Sequence, residues 1–551
     1  MPELYSLVRR AWLPVAFFDG RRDFVRLIDI ADDSIIRIAT GRPDCDISLT
    51  EFLIGLLAVA TGPMGGEDWA ERYLNPPTIA DLEAAFTPFE AALILDGDGP
   101  RFFQDREAFE GAATPVEAFF MDAPAEHFQV DGRTQVLSRA GAAIALATLQ
   151  TSAPAGGAGH RTSLRGGGPL STLVVPGTAD QSEPTLWHRL WANVPGDDYS
   201  ATADDAKRVF PWLGATRVSD KDGRTTNPSD VHLAQAFFGM PRRIRLVFEP
   251  NSHQRRCDLT GEVDDVVVTG YVTKPWGTNY VSWSRAHPLS PYYKVKPADI
   301  EFLPVHLKSS RVGYRQWLGM VMDVNGGQRV PARCLATFEK RAEELPEIEA
   351  AVVRRSQLLV VGYAMDNMKP LDFAEALLPL IITKDTRVNE ATRTLARHWV
   401  GAADTVASQL VTSVKIALFG ENAKADRDST RLDAVKSRFW ADTEDAFYLQ
   451  LRAAAATFEQ SAATLVDTRD DLFQAAGKDW LKCLNRHALA IFDDAVPIED
   501  ADGDRIQDII SGRRMLGLML TGFGKGGQAL FGLLGQEPGE AKKSKKGKKA
   551  A

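Results

Sequence analysis

Four cysteines, Cys45, Cys257, Cys334 and Cys483, are scattered through the chain, and no two form a C-x-x-C pair. Zinc ribbons and dithiol redox motifs are thereby excluded, and the cysteines read as reduced thiols in the core or at the surface. The nine histidines are equally dispersed, without an H-E-x-x-H or a close ligand pair, so neither metal nor cofactor is expected. No apolar run reaches the roughly 18 residues that would span a bilayer. The start, M-P-E-L-Y-S-L-V-R-R-A-W, lacks the basic, apolar and cleavage regions of a signal peptide, and a cytoplasmic location is the expectation. No G-x-S-x-G elbow occurs, and no carboxylate cluster pairs with a histidine in a recognisable order. Cys257 follows Arg255-Arg256, yet nothing local supplies a base. A non-enzymatic protein is the stronger expectation.

What is present is long and ordinary in composition. At 551 residues, with 44% apolar and 25% charged residues, the chain exceeds one hydrophobic core and is expected to hold two or three domains. The net charge is −9, but the terminal A-K-K-S-K-K-G-K-K-A-A carries six lysines, leaving −15 for the rest. An acidic body does not coat DNA along its whole surface, so any contact with a polyanion has to be local.

Two kinds of pattern divide the chain. β-type runs at residues 13–18, 172–175, 244–248 and 266–272, with Asp19-Gly20 as a hairpin signal, alternate with helical stretches such as 50–60. Glycine- and proline-rich connections recur between them. After Thr383 the period becomes helical over 387–418, 431–463, 480–492 and 505–521. The expected fold is therefore α+β: an irregular mixed body with long loops over 1–382, a four-helix bundle over 383–535, and a lysine-rich tail over 536–551. The D-A-D-G-D run at 500–504 has Arg505 and Ser511 where a calcium loop needs Gly and Glu, so it reads as the acidic start of the last helix.

Four segments look suited to contact. Between Pro154 and Pro169, P-A-G-G-A-G-H-R-T-S-L-R-G-G-G-P sets His160, Arg161 and Arg165 among two glycine clusters. Glycines let backbone N–H groups approach a partner, and arginine supplies charge for phosphate. It is neither a Walker A, since no Lys-Ser or Lys-Thr follows, nor a dinucleotide fingerprint, since the glycines precede a strand. V-G-Y-A-M-D-N-M-K-P (361–370) offers a stackable tyrosine, an amide, two methionines and a lysine before a proline that ends any regular element, as a nucleic-acid contact or as a buried methionine-rich turn. G-Y-V-T-K-P-W through P-Y-Y-K (270–294) alternates aromatics with Lys274, Arg285 and Lys294, as a nucleic-acid surface or as a hairpin with a half-buried aromatic face. Residues 125–139 add Phe128 in a polar loop. A glycine loop that binds a phosphorylated small molecule in a cytoplasmic enzyme remains the alternative.

Together these segments resemble the CasA family, the large subunit of the type I-E CRISPR surveillance complex Cascade. The W-L-P-V at 12–15, L-R-G-G-G-P-L-S-T-L ending at Leu173, G-M-P-R-R-I at 239–244, H-P-L-S-P at 287–291 and G-Y-A-M-D-N-M-K at 362–369 occur in the family's order. The resemblance implies a non-catalytic subunit of an antiviral complex. It would recognise the protospacer-adjacent motif in duplex DNA, open the duplex to start the R-loop and help recruit the helicase–nuclease. The partners implied are the backbone and small Cascade subunits with their guide RNA, and target DNA. Carried over, Gly157, Ala158, Gly159 and Lys274 would meet the motif from the minor groove. Asn367 and Met368 would form the wedge with Lys369 on a phosphate, and Phe128 would lie in the loop anchored on the RNA-bearing backbone. Arg165 and Gly166–Gly168 would hold the fold together. Some members bind zinc through cysteine pairs; here Ser138 and Gly141 stand at one pair and only Cys257 remains near the other, so no metal is expected.

Overall fold

Asp19-Gly20 turns the first apolar run back on itself. A computed structural model describes residues 4–121, 132–157, 159–178, 180, 182–220, 223–308, 311–324, 326–366, 369–420, 429–498 and 503–537, the side chains of 348 and 504 excepted. In it β1 (Leu13–Phe17) pairs antiparallel with β2 (Arg22–Val25) through a turn in which Gly20, at φ +84°, donates its N–H to Phe17 O at 3.0 Å. β3 (Ile35–Ile38) flanks β1 on the other side. The chain then enters α1 (Pro43–Thr61), longer than its periodic part because Pro43 occupies the first position, where no N–H bond is needed. Its Leu49, Phe52, Leu53, Ile54, Leu56 and Leu57 are all buried, so α1 is enclosed by the body rather than laid on it.

Among the described residues the body holds four further sheets, two of which position the site. α2 (Arg139–Ser152) is capped by Ser138, whose hydroxyl accepts the Gly141 N–H at 3.0 Å, and it packs on α1. β4 (Ser171–Val175) forms one edge of a three-stranded antiparallel sheet. β5 (Arg243–Pro250) and β6 (Val266–Lys274) form a hairpin in register Lys274↔Arg243, with a bulge between Val268 and Gly270. β7 (Gln357–Asp366) lies at the centre of the β4 sheet, and β8 (Lys369–Pro379) is its other edge. Pro370 therefore ends nothing: it sits inside β8, tolerated because an edge strand leaves one row of N–H groups unpaired. Trp12, Phe52, Phe102, Phe103, Trp212 and Phe238 form a continuous cluster of edge-on and tilted rings in the core.

Arg165 ties these parts together. It is buried, donates to Ser171 Oγ at 3.0 Å and Ser290 Oγ at 2.9 Å, and forms an ion pair with Glu51 of α1. Ser171 donates to the same carboxylate, and the Ser290 hydroxyl donates to Leu170 O at 2.7 Å. Three segments distant in sequence thus meet at one guanidinium. His287, from the same H-P-L-S-P turn as Ser290, accepts the Leu289 N–H on Nδ1 at 3.3 Å, which fixes it as the neutral tautomer. Burial first, then Arg165 and Arg333, hold its pKa well below the ordinary value. Glu51 Oε2 stands 3.9 Å from His287 Nε2, but that carboxylate is already taken by Arg165 and Ser171.

The chain divides into two compact units, Met1–Val312 with Gly319–Leu380, and Gly313–Leu318 with Ile381–Ala551. The second is helical: α3 (Thr386–Phe419), α4 (Ser429–Asp442), α5 (Glu444–Gln460), α6 (Leu465–Ala495), α7 (Gly503–Leu520) and α8 (Gly524–Leu533). α3 packs against each of the others. The expected helix over 431–463 is interrupted at Thr443, whose hydroxyl bonds back to Phe439 O at 2.7 Å and pairs with Tyr314 Oη at 2.8 Å. α6 starts fifteen residues before the expected 480, and α7 is followed by α8 rather than being last. Trp399 stacks on Trp480 at 5.3 Å, and Tyr314 on Phe447 at 4.4 Å.

Replacing Arg165 by Met leaves the Glu51 carboxylate buried without its cation and is expected to cost about 3–5 kcal/mol, whereas Arg165→Met with Glu51→Leu costs less than either single change. Denaturant unfolding of the four proteins measures this. His287 binds its proton in the unfolded chain below about pH 6.5 but not when folded, so stability falls as pH drops through that value. His287→Gln is expected to lower the slope of stability against pH by up to one proton, about 1.4 kcal/mol per pH unit, between pH 6.5 and 5.

Candidate nucleic-acid interface

The glycine–arginine segment leaves the end of α2 and returns to it. Ser163 N–H donates to Ala153 O at 2.9 Å and Gly168 N–H to Ser152 O at 3.0 Å, so residues 154–162 form an excursion closed at its base. At its tip Gly157 is exposed, has φ +61°, and has open space where a side chain would be. His160 N–H closes the turn onto Gly157 O at 2.8 Å. Gly159, at φ +81°, lies against an indole: a Cβ there would stand 2.8 Å from Trp276 Cδ2. Trp276 N–H donates to Gly159 O at 2.8 Å, and Trp276 itself holds φ +65°, a conformation that costs a bulky residue energy and is kept by these contacts. Ala158 lies outside the described residues.

Trp276 follows β6 by two residues, so the excursion is docked beside Lys274. Lys274 sits at the open end of the β5–β6 hairpin, opposite Arg243, rather than at its turn. The cations near the excursion already have protein partners. Arg161 donates to Ser219 Oγ at 2.9 Å and lies 5.3 Å from the Trp276 ring, Arg242 donates to Pro154 O, and Arg165 is buried on Glu51. His160 is held below its usual pKa, first by burial and then by Arg242. The arginines of the loop thus serve the fold, and a phosphate cradle built on them loses its charge.

The second glycine cluster reaches the other candidate segment. A Cβ on Gly168 would stand 2.8 Å from Tyr363 Cβ and 3.0 Å from Met365 Sδ, both on β7. β7 and β8 close a hairpin whose last pair is Asp366↔Lys369, so residues 367 and 368 connect the strands. Asn367 and Met368 themselves lie outside the described residues, as does Phe128. Lys369 opens β8 and is exposed. Tyr363 is not available to stack on a base: it is buried, and its hydroxyl donates to Asp44. In 270–294 Tyr271, Trp283 and Tyr292 are core and Trp276, Tyr280 and Tyr293 are half-buried, while Arg285 and Lys294 both lie on the Phe302 ring at 5.3 and 4.9 Å. The alternation there is that of a folded aromatic face. What the sequence did not reveal is Glu107 and Phe109, which meet Lys274 from a loop more than a hundred residues upstream.

The structure is thus an α+β body that presents a glycine turn near a hairpin cation, with a second hairpin on the same loop and a helical unit after it in the chain. The description of CRISPR-associated protein Cse1 matches residues 6–491, and the chain belongs to that family, the CasA large subunits of type I-E Cascade. Its fold is that of Cse1 from Acidimicrobium ferrooxidans, with 19% identity, TM-score 0.65, and 97% of this chain and 100% of that one covered. Thermus thermophilus CasA (Cse1) is similar at 17% identity and TM-score 0.66, covering 94% and 99%. A chain in the structure of a CRISPR RNA-guided surveillance complex is similar at 16% and 0.64, covering 94% and 100%.

Ser138, Gly141 and Cys257, which the resemblance sets at zinc-pair positions, lie close together. A Cβ on Gly141 would stand 2.6 Å from Cys257 Sγ, and Ser138 Oγ donates to Glu262 Oε1 at 2.6 Å. One thiol and a serine already bonded to a carboxylate do not make a zinc donor set, and among the described residues no group of three His, Cys, Asp or Glu could hold a metal.

Gly159→Ala is expected to destabilise the first unit more than Gly157→Ala. Both impose the left-handed cost of about 1–2 kcal/mol, but only residue 159 also strikes Trp276. Thermal unfolding of the two variants checks the order.

Proposed function

We propose that this chain is the non-catalytic DNA-recognition subunit of an RNA-guided antiviral surveillance complex. It recognises the protospacer-adjacent motif in duplex DNA, starts the R-loop and helps recruit the helicase–nuclease. The observation that carries this reading is the double docking of one segment: Gly159 packs on Trp276, two residues from Lys274, and Gly168 packs on Tyr363 and Met365 near the turn end of β7. A motif reader and a strand separator have to be held in a constant relation, and a single braced loop does that.

The division of labour follows from chemistry. Guide RNA, carried by the backbone subunits, reads the target by base pairing, so the protein needs to read only a short duplex motif. Gly157, Ala158 and Gly159 approach the minor groove with backbone atoms, and Lys274 donates to acceptors on base edges there. Asn367 and Met368 enter between the first base pairs, and Lys369 holds a phosphate. Phe128 lies in the loop that anchors the subunit on the RNA-bearing backbone, and the small subunits complete the assembly. The domains suit this division: 1–382 for recognition, 383–535 as a bundle, and 536–551 as a lysine-rich tail.

Binding of the assembled complex to motif-bearing duplex, measured by gel shift, tests the wedge. Asn367→Ala with Met368→Ala removes a contribution of about 2 kcal/mol to unstacking, or roughly 30-fold in affinity. A duplex already opened at the first base pairs is expected to restore binding. A variant that the bubble does not rescue would exclude the wedge.

A further inference from the structure

Lys274 is not a bare cation. Its Nζ lies 3.2 Å from Glu107 Oε1 and 4.8 Å from the centroid of Phe109. The other oxygen of Glu107 takes Nη2 of Arg243, the cross-strand neighbour of Lys274, and the Phe109 ring faces that guanidinium too, at 5.3 Å. Arg243 is fixed from behind: Asp105 Oδ2 accepts from its Nε at 2.7 Å and from Thr216 Oγ1 at 2.8 Å. Two cations, two carboxylates and a ring therefore form a neutral cluster at the open end of the hairpin. Within it only the Glu107–Lys274 contact is exposed, with 59% and 37% of the two side chains accessible. Lys274 first, and Arg243 next, hold the Glu107 carboxyl below the usual carboxylate range, so it stays charged at neutral pH.

An ammonium paired in this way treats its partners unequally. It has three N–H donors, and the carboxylate uses one. A neutral acceptor on a base edge can take another without disturbing the pair. A phosphate can approach only with its own charge facing Glu107, so the sequence-independent attraction that dominates nonspecific binding is largely cancelled. We propose that Glu107 is a specificity-determining positioning residue: it biases Lys274 toward base-edge acceptors of the motif and against backbone phosphates. Phe109 supports this by holding the ammonium over its ring. The inference rests on Lys274 facing the DNA.

The test uses the assembled complex with guide RNA, a motif-bearing duplex and a duplex lacking the motif, titrated over a range of salt. The variants are Glu107→Gln, Lys274→Ala and, as a control for lost negative charge, Glu67→Gln on the helix Gly66–Leu74, where residue 67 is exposed. Glu107→Gln is expected to tighten binding to the duplex without the motif by about three- to tenfold and to steepen its salt dependence by about one phosphate contact. Binding to the motif duplex is expected to change less, so discrimination falls. If Glu107→Gln alters the ratio of the two affinities no more than Glu67→Gln does, while Lys274→Ala lowers it, the carboxylate filter is refuted and the lysine reading stands. If Lys274→Ala leaves the ratio unchanged, the lysine reading falls and this inference falls with it.

Discussion

The buried pair between Arg165 and Glu51 is the constraint on which the rest of the first unit depends. Arg165 and Ser171 both donate to the Glu51 carboxylate, and Ser290 accepts from the guanidinium. Taking both charges out of water is unfavourable unless the geometry is complete, which is why so many polar groups converge there. The consequence is positional. With α1, β4 and the 287–291 turn locked to residue 165, the flanking glycines are delivered to set places, Gly159 on Trp276 and Gly168 near the turn end of the β7–β8 hairpin.

The electrostatics of the surface follow the same economy. The chain is acidic overall, and the cations described around the glycine excursion have internal partners: Ser219 for Arg161, a carbonyl for Arg242, Glu107 for Lys274. Such a surface is poorly suited to hold DNA by charge alone, and better suited to discriminate by shape and by hydrogen bonds from a few fixed donors. A subunit that works beside an RNA-bearing assembly does not need to supply bulk affinity.

Much of this was legible in the chain, and the failures are instructive. The hairpin at Asp19-Gly20, the strand Ser171–Val175 and the long helix Thr386–Phe419 follow from local chemistry and period, and the structure has them. Pro370 misled because a proline reads as a terminator unless one knows its strand is an edge. Tyr363 looked like a stacking residue because nothing local announces that Asp44, over three hundred residues away, takes its hydroxyl. Tyr314 and Trp317 pack among helices far downstream, and no period in six residues could show it.

Local chemistry thus determined the elements, because turn residues, period and apolar pattern act over a few residues, while five motifs in order carried the resemblance to the family. Only the tertiary structure decided which basic side chains are committed to the fold, that Lys274 carries Glu107 and Phe109 with it, and that one loop braces both hairpins. Those are contacts between segments far apart in sequence, 58 residues for Arg161 with Ser219 and 167 for Lys274 with Glu107. Burial, charge neutralisation and close backbone approach arise there only when the chain has closed on itself.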